Sequence, residues 1–167
     1  MRRRRMQVLG GGACLAALAA IAVIALPASG TAPAGQAFFA KLDGGHEVGP
    51  GTNDLDGYGT FSGGLETVSG VPKLCGGFQV FKIGTVTGAH IHKAPVGQSG
   101  SIVVNLTPPS GTPGNPGAFA KCVTITTTLF NQIKSTPGAY YVNVHTSAFP
   151  NGAIRGQLFQ ATATQDK

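Results

Sequence analysis

The chain has 167 residues, 12 basic against 6 acidic, for a formal net charge of +6, with 26 glycines, 11 prolines and no tryptophan. Four of the basic residues are Arg2 to Arg5, so residues 35–167 keep 8 Lys and Arg against 6 Asp and Glu, a net charge of +2. No basic stripe and no basic–aromatic interleaving is left, which excludes a nucleic-acid partner.

The arginines precede an uncharged apolar stretch, Met6 to Leu26, and then the small-residue run Pro27 to Ala34. A basic segment, an apolar segment and a small-residue end predict a secretory signal over residues 1–34, with Ala32-Pro33-Ala34 fitting the A-x-A pattern. Cleavage after Ala28 or Gly30 competes with cleavage after Ala34. About 20 apolar residues also suffice to span a bilayer. An uncleaved signal is therefore the one membrane attachment to consider, although Gly10 to Gly12 weaken a membrane helix. Cys14 lies inside the apolar run without a leucine three positions before it, which argues against a lipoprotein. The paired arginines also permit twin-arginine export. The expected location is extracytoplasmic. Residues 35–160 are long enough for one domain with a single core, and residues 161–167 are expected to be a flexible tail.

Short apolar–polar alternations separated by turn residues then follow. Strands are expected at Ala37–Leu42, Gly57–Leu65, Lys73–Ile83, Ala89–His92, Ser101–Leu106, Phe119–Thr126, Ala139–Thr146 and Ala153–Gln160. Asp43 to Gly51 reads as a loop and Pro108 to Gly117 as a Pro/Gly connection. One or two helical turns are expected at Thr128–Lys134, capped by Thr128, with Leu129 and Ile133 on one face. About eight short strands predict an all-β, Greek-key sandwich or barrel.

Cys75 and Cys122 are the two cysteines outside the signal. An even pair in an exported chain predicts a disulfide, and two buried free thiols are the alternative. The bridge would close a loop of 48 residues, stabilising by about 4 kcal/mol in the chain-entropy treatment.

The chemistry sits in two of the strands. Residues i and i+2 of a strand share a face, so His90 and His92 project together, with Ile91 on the other side. Likewise Tyr141, Asn143 and His145 share one face and Val142 and Val144 the other. If the aliphatic faces are core, His90, His92 and His145 all lie on a more polar face. Imidazole suits copper and zinc, and three ligands would leave an open position. The competing reading is three structural histidines, each donating to a loop carbonyl. Arg155 is expected to stitch strand ends through a bidentate pair with Glu47, with anion guidance as the alternative. Glu47 is expected as that partner, or as an acceptor from a backbone amide, and His46 as a solvated loop residue. No catalytic residue is assigned: G-x-S-x-G, Walker, H-E-x-x-H and Rossmann patterns are all missing.

Four segments carry a resemblance: Leu42-Asp43-Gly44-Gly45-His46-Glu47-Val48-Gly49-Pro50, Gly88-Ala89-His90-Ile91-His92, Gly100 to Leu106, and Tyr141 to Leu158 with its Tyr-Val-Asn-Val-His-Thr and Ile-Arg-Gly-Gln-Leu. Together they resemble the CHRD domain, over roughly residues 37–160. Two departures stand out: Val48 is followed by Gly49-Pro50 where the family usually has two prolines, and His46 is not a usual family residue. The resemblance implies an extracellular, immunoglobulin-like all-β domain without an assigned activity. A looser likeness joins His90, His92, His145 and Arg155, in that order, to the copper–zinc superoxide dismutases. No histidine lies between His92 and His145, so that likeness would allow only a copper site. The sequence therefore supports a secreted, non-enzymatic binding or structural module with an unidentified extracellular partner. The alternative is a copper-binding protein, dismutase-like in its chemistry.

Overall fold

A computed structural model describes residues 36–50 and 53–160. The signal expected over 1–34 and the tail expected over 161–167 lie outside the described residues. Alternation dictates the strands. In β1 (Gln36–Asp43), Phe38, Ala40 and Leu42 point inward; in β2 (Tyr58–Val68), Phe61 and Leu65 do. β3 (Val71–Phe81) contributes Leu74, Phe78 and Val80 from its inner face. β4 (Val86–Lys93), β5 (Ser101–Asn105) and β6 (Gly117–Thr124) follow, then the helix α1 (Thr127–Ser135), β7 (Tyr140–Thr146), β8 (Ile154–Gln157) and β9 (Phe159–Gln160).

All pairings are antiparallel, in the order β5-β4-β7-β8-β1-β2-β3-β6, with β9 also on β1. β1, β2 and β3 form a meander. The chain then crosses to build the β4–β5 hairpin and returns so that β6 pairs with β3, the Greek-key move expected from the sequence. The sheet curls into a barrel that is nearly closed, with β5 and β6 as its edges. Lys121 Nζ of β6 donates to the carbonyl of Thr107, just beyond β5, at 3.0 Å.

The interior is aliphatic and aromatic. Leu42, Ile91, Val142, Val144 and Ile154 are fully buried, and the Phe61 ring meets Phe78 edge-on at 5.0 Å. Phe78 in turn stacks on Phe119 at 4.4 Å. Burying one such side chain stabilises by roughly 1.5–3 kcal/mol.

Two local expectations need correction. The helix begins one residue earlier than expected, and its cap is Thr126. In the run Thr126-Thr127-Thr128, Thr126 is the residue with extended backbone, and its Oγ1 accepts from Leu129 N at 3.1 Å. The last expected strand, 153–160, is broken at Leu158. That residue turns its side chain into the core, and its N–H donates to the Tyr140 carbonyl at 2.9 Å.

Cys75 and Cys122 face each other directly across β3 and β6, with Cα atoms 3.9 Å apart, and are joined by a disulfide. Among the described residues, no helix is long and apolar enough to cross a membrane.

Candidate metal centre

β4 and β7 are adjacent and pair in register, with His90 opposite Asn143 and His92 opposite Tyr141. Ala89 and Ile91 of β4, like Val142 and Val144 of β7, are buried in the core. The period of two therefore sends His90, His92 and His145 to the same outer face. His90 Nδ1 lies 3.1 Å from His145 Nε2. One nitrogen from each of the three rings falls within 4.8 Å of the others. Two nitrogens on one metal at 2.0–2.1 Å sit about 3.3–4.1 Å apart, so closing on an ion requires movements of about 1 Å. Gly88 makes room for the cluster: a Cβ there would lie 3.2 Å from His90 Cε1 and 3.5 Å from His145 Cδ2.

The far nitrogens orient the rings. His92 Nδ1 donates to the Gly100 carbonyl at 2.9 Å, and His145 Nδ1 donates to the Pro150 carbonyl at 3.0 Å. Those bonds leave Nε2 of both rings unprotonated, and that of His145 faces His90. In the metal-free protein His90 Nδ1 donates to the His145 Nε2 lone pair, and a metal would require that proton to move to His90 Nε2, which lies 3.3 Å from Thr107 Oγ1. His92 Nε2 is buried and has no partner. A buried polar atom without a partner is uncommon and needs a reason.

Burial lowers all three imidazole pKa values. That of His90 falls to about 4, through desolvation first and then through His145 and His92. His92 is lowered by desolvation and by Arg155, against its bond to Gly100, and His145 by desolvation and by His92, against its bond to Pro150. The rings are neutral at pH 7, the state in which imidazole ligates.

The surrounding shell is aromatic and cationic. His92 lies flat on Tyr141, ring centroids 4.8 Å apart and planes 8° from parallel. The Tyr141 hydroxyl accepts from Gly100 N at 3.2 Å. The Arg155 guanidinium sits 3.7 Å from the centroid of the Tyr141 ring. The expected bidentate pair between Arg155 and Glu47 is not formed: among the described residues the ion pair present is His46 with Asp43, at 2.7 Å. Arg155 instead donates to the Gln98 carbonyl at 2.9 Å, because stacking on Tyr141 turns the fork toward that loop.

Glu47 is 8% exposed, and its Oε2 accepts from Asn143 Nδ2 at 3.4 Å. Desolvation pushes its pKa up to about 7, against the lowering effect of Arg155 and of the bonds from Asn143 and the backbone of Val48. The carboxylate packs against Gly152 (φ +141°), where any Cβ would meet its oxygens at 2.5–2.7 Å. His46 is a rim residue, its ring held by Asp43, and it is not part of the three-nitrogen cluster.

Sequence reasoning did not find Thr107, Gly100 and Pro150, which act on the histidines from loops. Carbonyl acceptors leave no residue signature, so nothing in the sequence marks the last two. Asn143 and Tyr141 were readable, since they share the His145 face at spacings of two and four.

The family comparison matches the CHRD domain over residues 38–158. The protein belongs to the CHRD family. That span runs from within β1 to the end of β8, and so includes the three histidines, Arg155, Glu47 and the disulfide of this CHRD domain. No curated protein and no solved structure matches the chain. The likeness to copper–zinc superoxide dismutases thus stays with the four residues that suggested it. Membership places the chain among domains of a binding or structural kind.

Proposed function

We propose that this CHRD protein is an exported, extracytoplasmic module that binds a transition metal, copper before zinc, through His90, His92 and His145. One observation carries the reading: three neutral imidazoles present nitrogens within 4.8 Å of one another, and the buried Nε2 of His92 has no other partner. The donor set is three nitrogens, without thiolate or carboxylate. Imidazole suits copper and zinc, and at a given site Cu(II) outranks Zn(II) in affinity. The hydrogen bonds from His92 and His145 to loop carbonyls are those expected behind metal-ligating histidines. A purely structural role for the rings accounts for the same bonds but leaves His92 Nε2 unsatisfied.

Export follows from the Arg2–Arg5 and Met6–Leu26 pattern, and a disulfide suits an oxidising compartment. The reading assigns no catalytic residue. Consumption of superoxide by the copper-loaded protein is the assay that would extend it to dismutase-like chemistry.

The test is thermal unfolding of the metal-free protein with and without Cu(II) or Zn(II). A ligand that binds only the native state raises Tm in proportion to RT ln(1 + [L]/Kd). A saturable rise with one equivalent of Cu(II), abolished in His92→Ala and His145→Ala, is expected. No rise at sub-millimolar metal, or the same rise after all three histidines become alanine, would remove the reading.

A further inference from the structure

Behind Tyr141, away from the histidines, Arg155 opens onto a second feature. It is 3% exposed, and one of its nitrogens is held by the Gln98 carbonyl. Among the described residues no carboxylate lies within ion-pairing distance of it. Arg155 lines a cavity of about 100 Å³, together with Lys41, His46, Val96, Gly97, Gly156 and Gln157. The amide of Gln157 is engaged by the carbonyls of Ala94 and Gly138 at 2.9 and 2.7 Å, and the His46 ring is engaged by Asp43. Lys41 and Arg155 are therefore the cations lining the cavity that make no ion pair. A buried charge is costly unless it is paired. Asp43, opposite Arg155 across β1 and β8, is engaged by the His46 ring, and Glu47 lies beyond ion-pairing distance with its pKa raised by burial to about 7.

We propose that Lys41 and Arg155 hold a small oxyanion, the size of phosphate or a carboxylate group, in this cavity. The guanidinium fork suits two-point contact with such an anion, and the lysine adds a point charge. The space equals about three waters' share of liquid volume. It admits a four- or five-atom group and leaves the remainder of any larger ligand outside. The site is separate from the three histidines and requires no metal.

The experiment uses the full-length, metal-free protein at constant ionic strength, with sodium phosphate or sodium acetate replacing sodium chloride. A saturable rise in Tm is expected, half complete at millimolar anion. Because removing Arg155 can unfold the domain, exposed Lys41 carries the test. Lys41→Met keeps the wild-type Tm in chloride and shifts the half-point at least tenfold, whereas Lys41→Arg retains the response. Glucose 6-phosphate separates the two sources of the group. Affinity equal to that of phosphate means a free ion, and tighter binding means the end of a larger molecule. A shift no larger than that from chloride, or one unchanged in Lys41→Met, overturns the proposal. Neither result bears on the metal centre, since no metal is present.

Discussion

Tyr141 is sandwiched between His92, stacked at 4.8 Å, and the guanidinium of Arg155, 3.7 Å from the ring centroid. Its hydroxyl also takes the N–H of Gly100, whose carbonyl receives His92 Nδ1–H. Tyr141 therefore grips the same imidazole twice. Tyr141→Phe keeps the stack and frees the loop, so copper affinity should fall roughly tenfold, the lower end for groups behind metal ligands. The domain should lose about 1 kcal/mol of stability. Competition with a chelator of known affinity measures the first and urea unfolding the second. Unchanged affinity in Tyr141→Leu, which loses both contacts, would show that His92 needs no such support.

Acid should weaken the metal-free protein through His90. Its pKa is about 4 when folded and 6.5 as a free side chain. Between those values the unfolded chain binds the extra proton, so stability present above pH 6.5 is lost as pH falls toward 4. Glu47 acts with the opposite sign. Its pKa of about 7 when folded exceeds its ordinary 4.5, so stability declines as pH rises from 4.5 to 7. His92 and His145, lowered in the same direction as His90, add to its slope, so Glu47 offsets only part of it and wild-type stability should still fall as pH drops below 6.5. Glu47→Gln removes one slope. It should steepen the loss on acidification and be more stable than wild type at pH 8, by on the order of 3 kcal/mol. Urea titrations at four pH values check both statements.

Ile91 anchors the strand that carries two of the three histidines, and it is fully buried. Ile91→Ala should cost about 2–5 kcal/mol through lost burial and the cavity left behind. A midpoint shift without a change in urea m-value would confirm a packing effect.

The Cys75–Cys122 bridge predicts that protein alkylated under denaturing, non-reducing conditions carries no added mass at these two residues. Reduction should then lower stability by about 2–4 kcal/mol. Labelling of either cysteine before reduction would contradict the bridge.

Much of this was legible in the sequence because strands impose a period of two. The faces of β4 and β7 follow from Ile91, Val142 and Val144, and those faces place the three histidines together once the strands are neighbours. The adjacency itself is a long-range matter, since β4 and β7 are separated in the chain by β5, β6 and α1. No local pattern encodes it. Arg155 was misread for a related reason. Its charge suggested Glu47 as partner, but the ring of Tyr141, reached through tertiary packing, directs it to a backbone carbonyl. Polar groups of the main chain, such as those of Gly100 and Pro150, carry no residue identity and escape this kind of reading altogether.

The gap between β5 and β6 has a bearing on how the molecule breathes. Strands with one unpaired margin release their amide protons soonest, because fewer bonds must rupture. Deuterium uptake should therefore begin at Ser101–Asn105 and Gly117–Thr124, and Ile102, 53% exposed, is the side chain most apt to seed sticking between molecules there. An ion clamped by β4 and β7 ties two strands that are already zipped together. It should harden the domain against global melting while leaving exchange at that slit as fast as before.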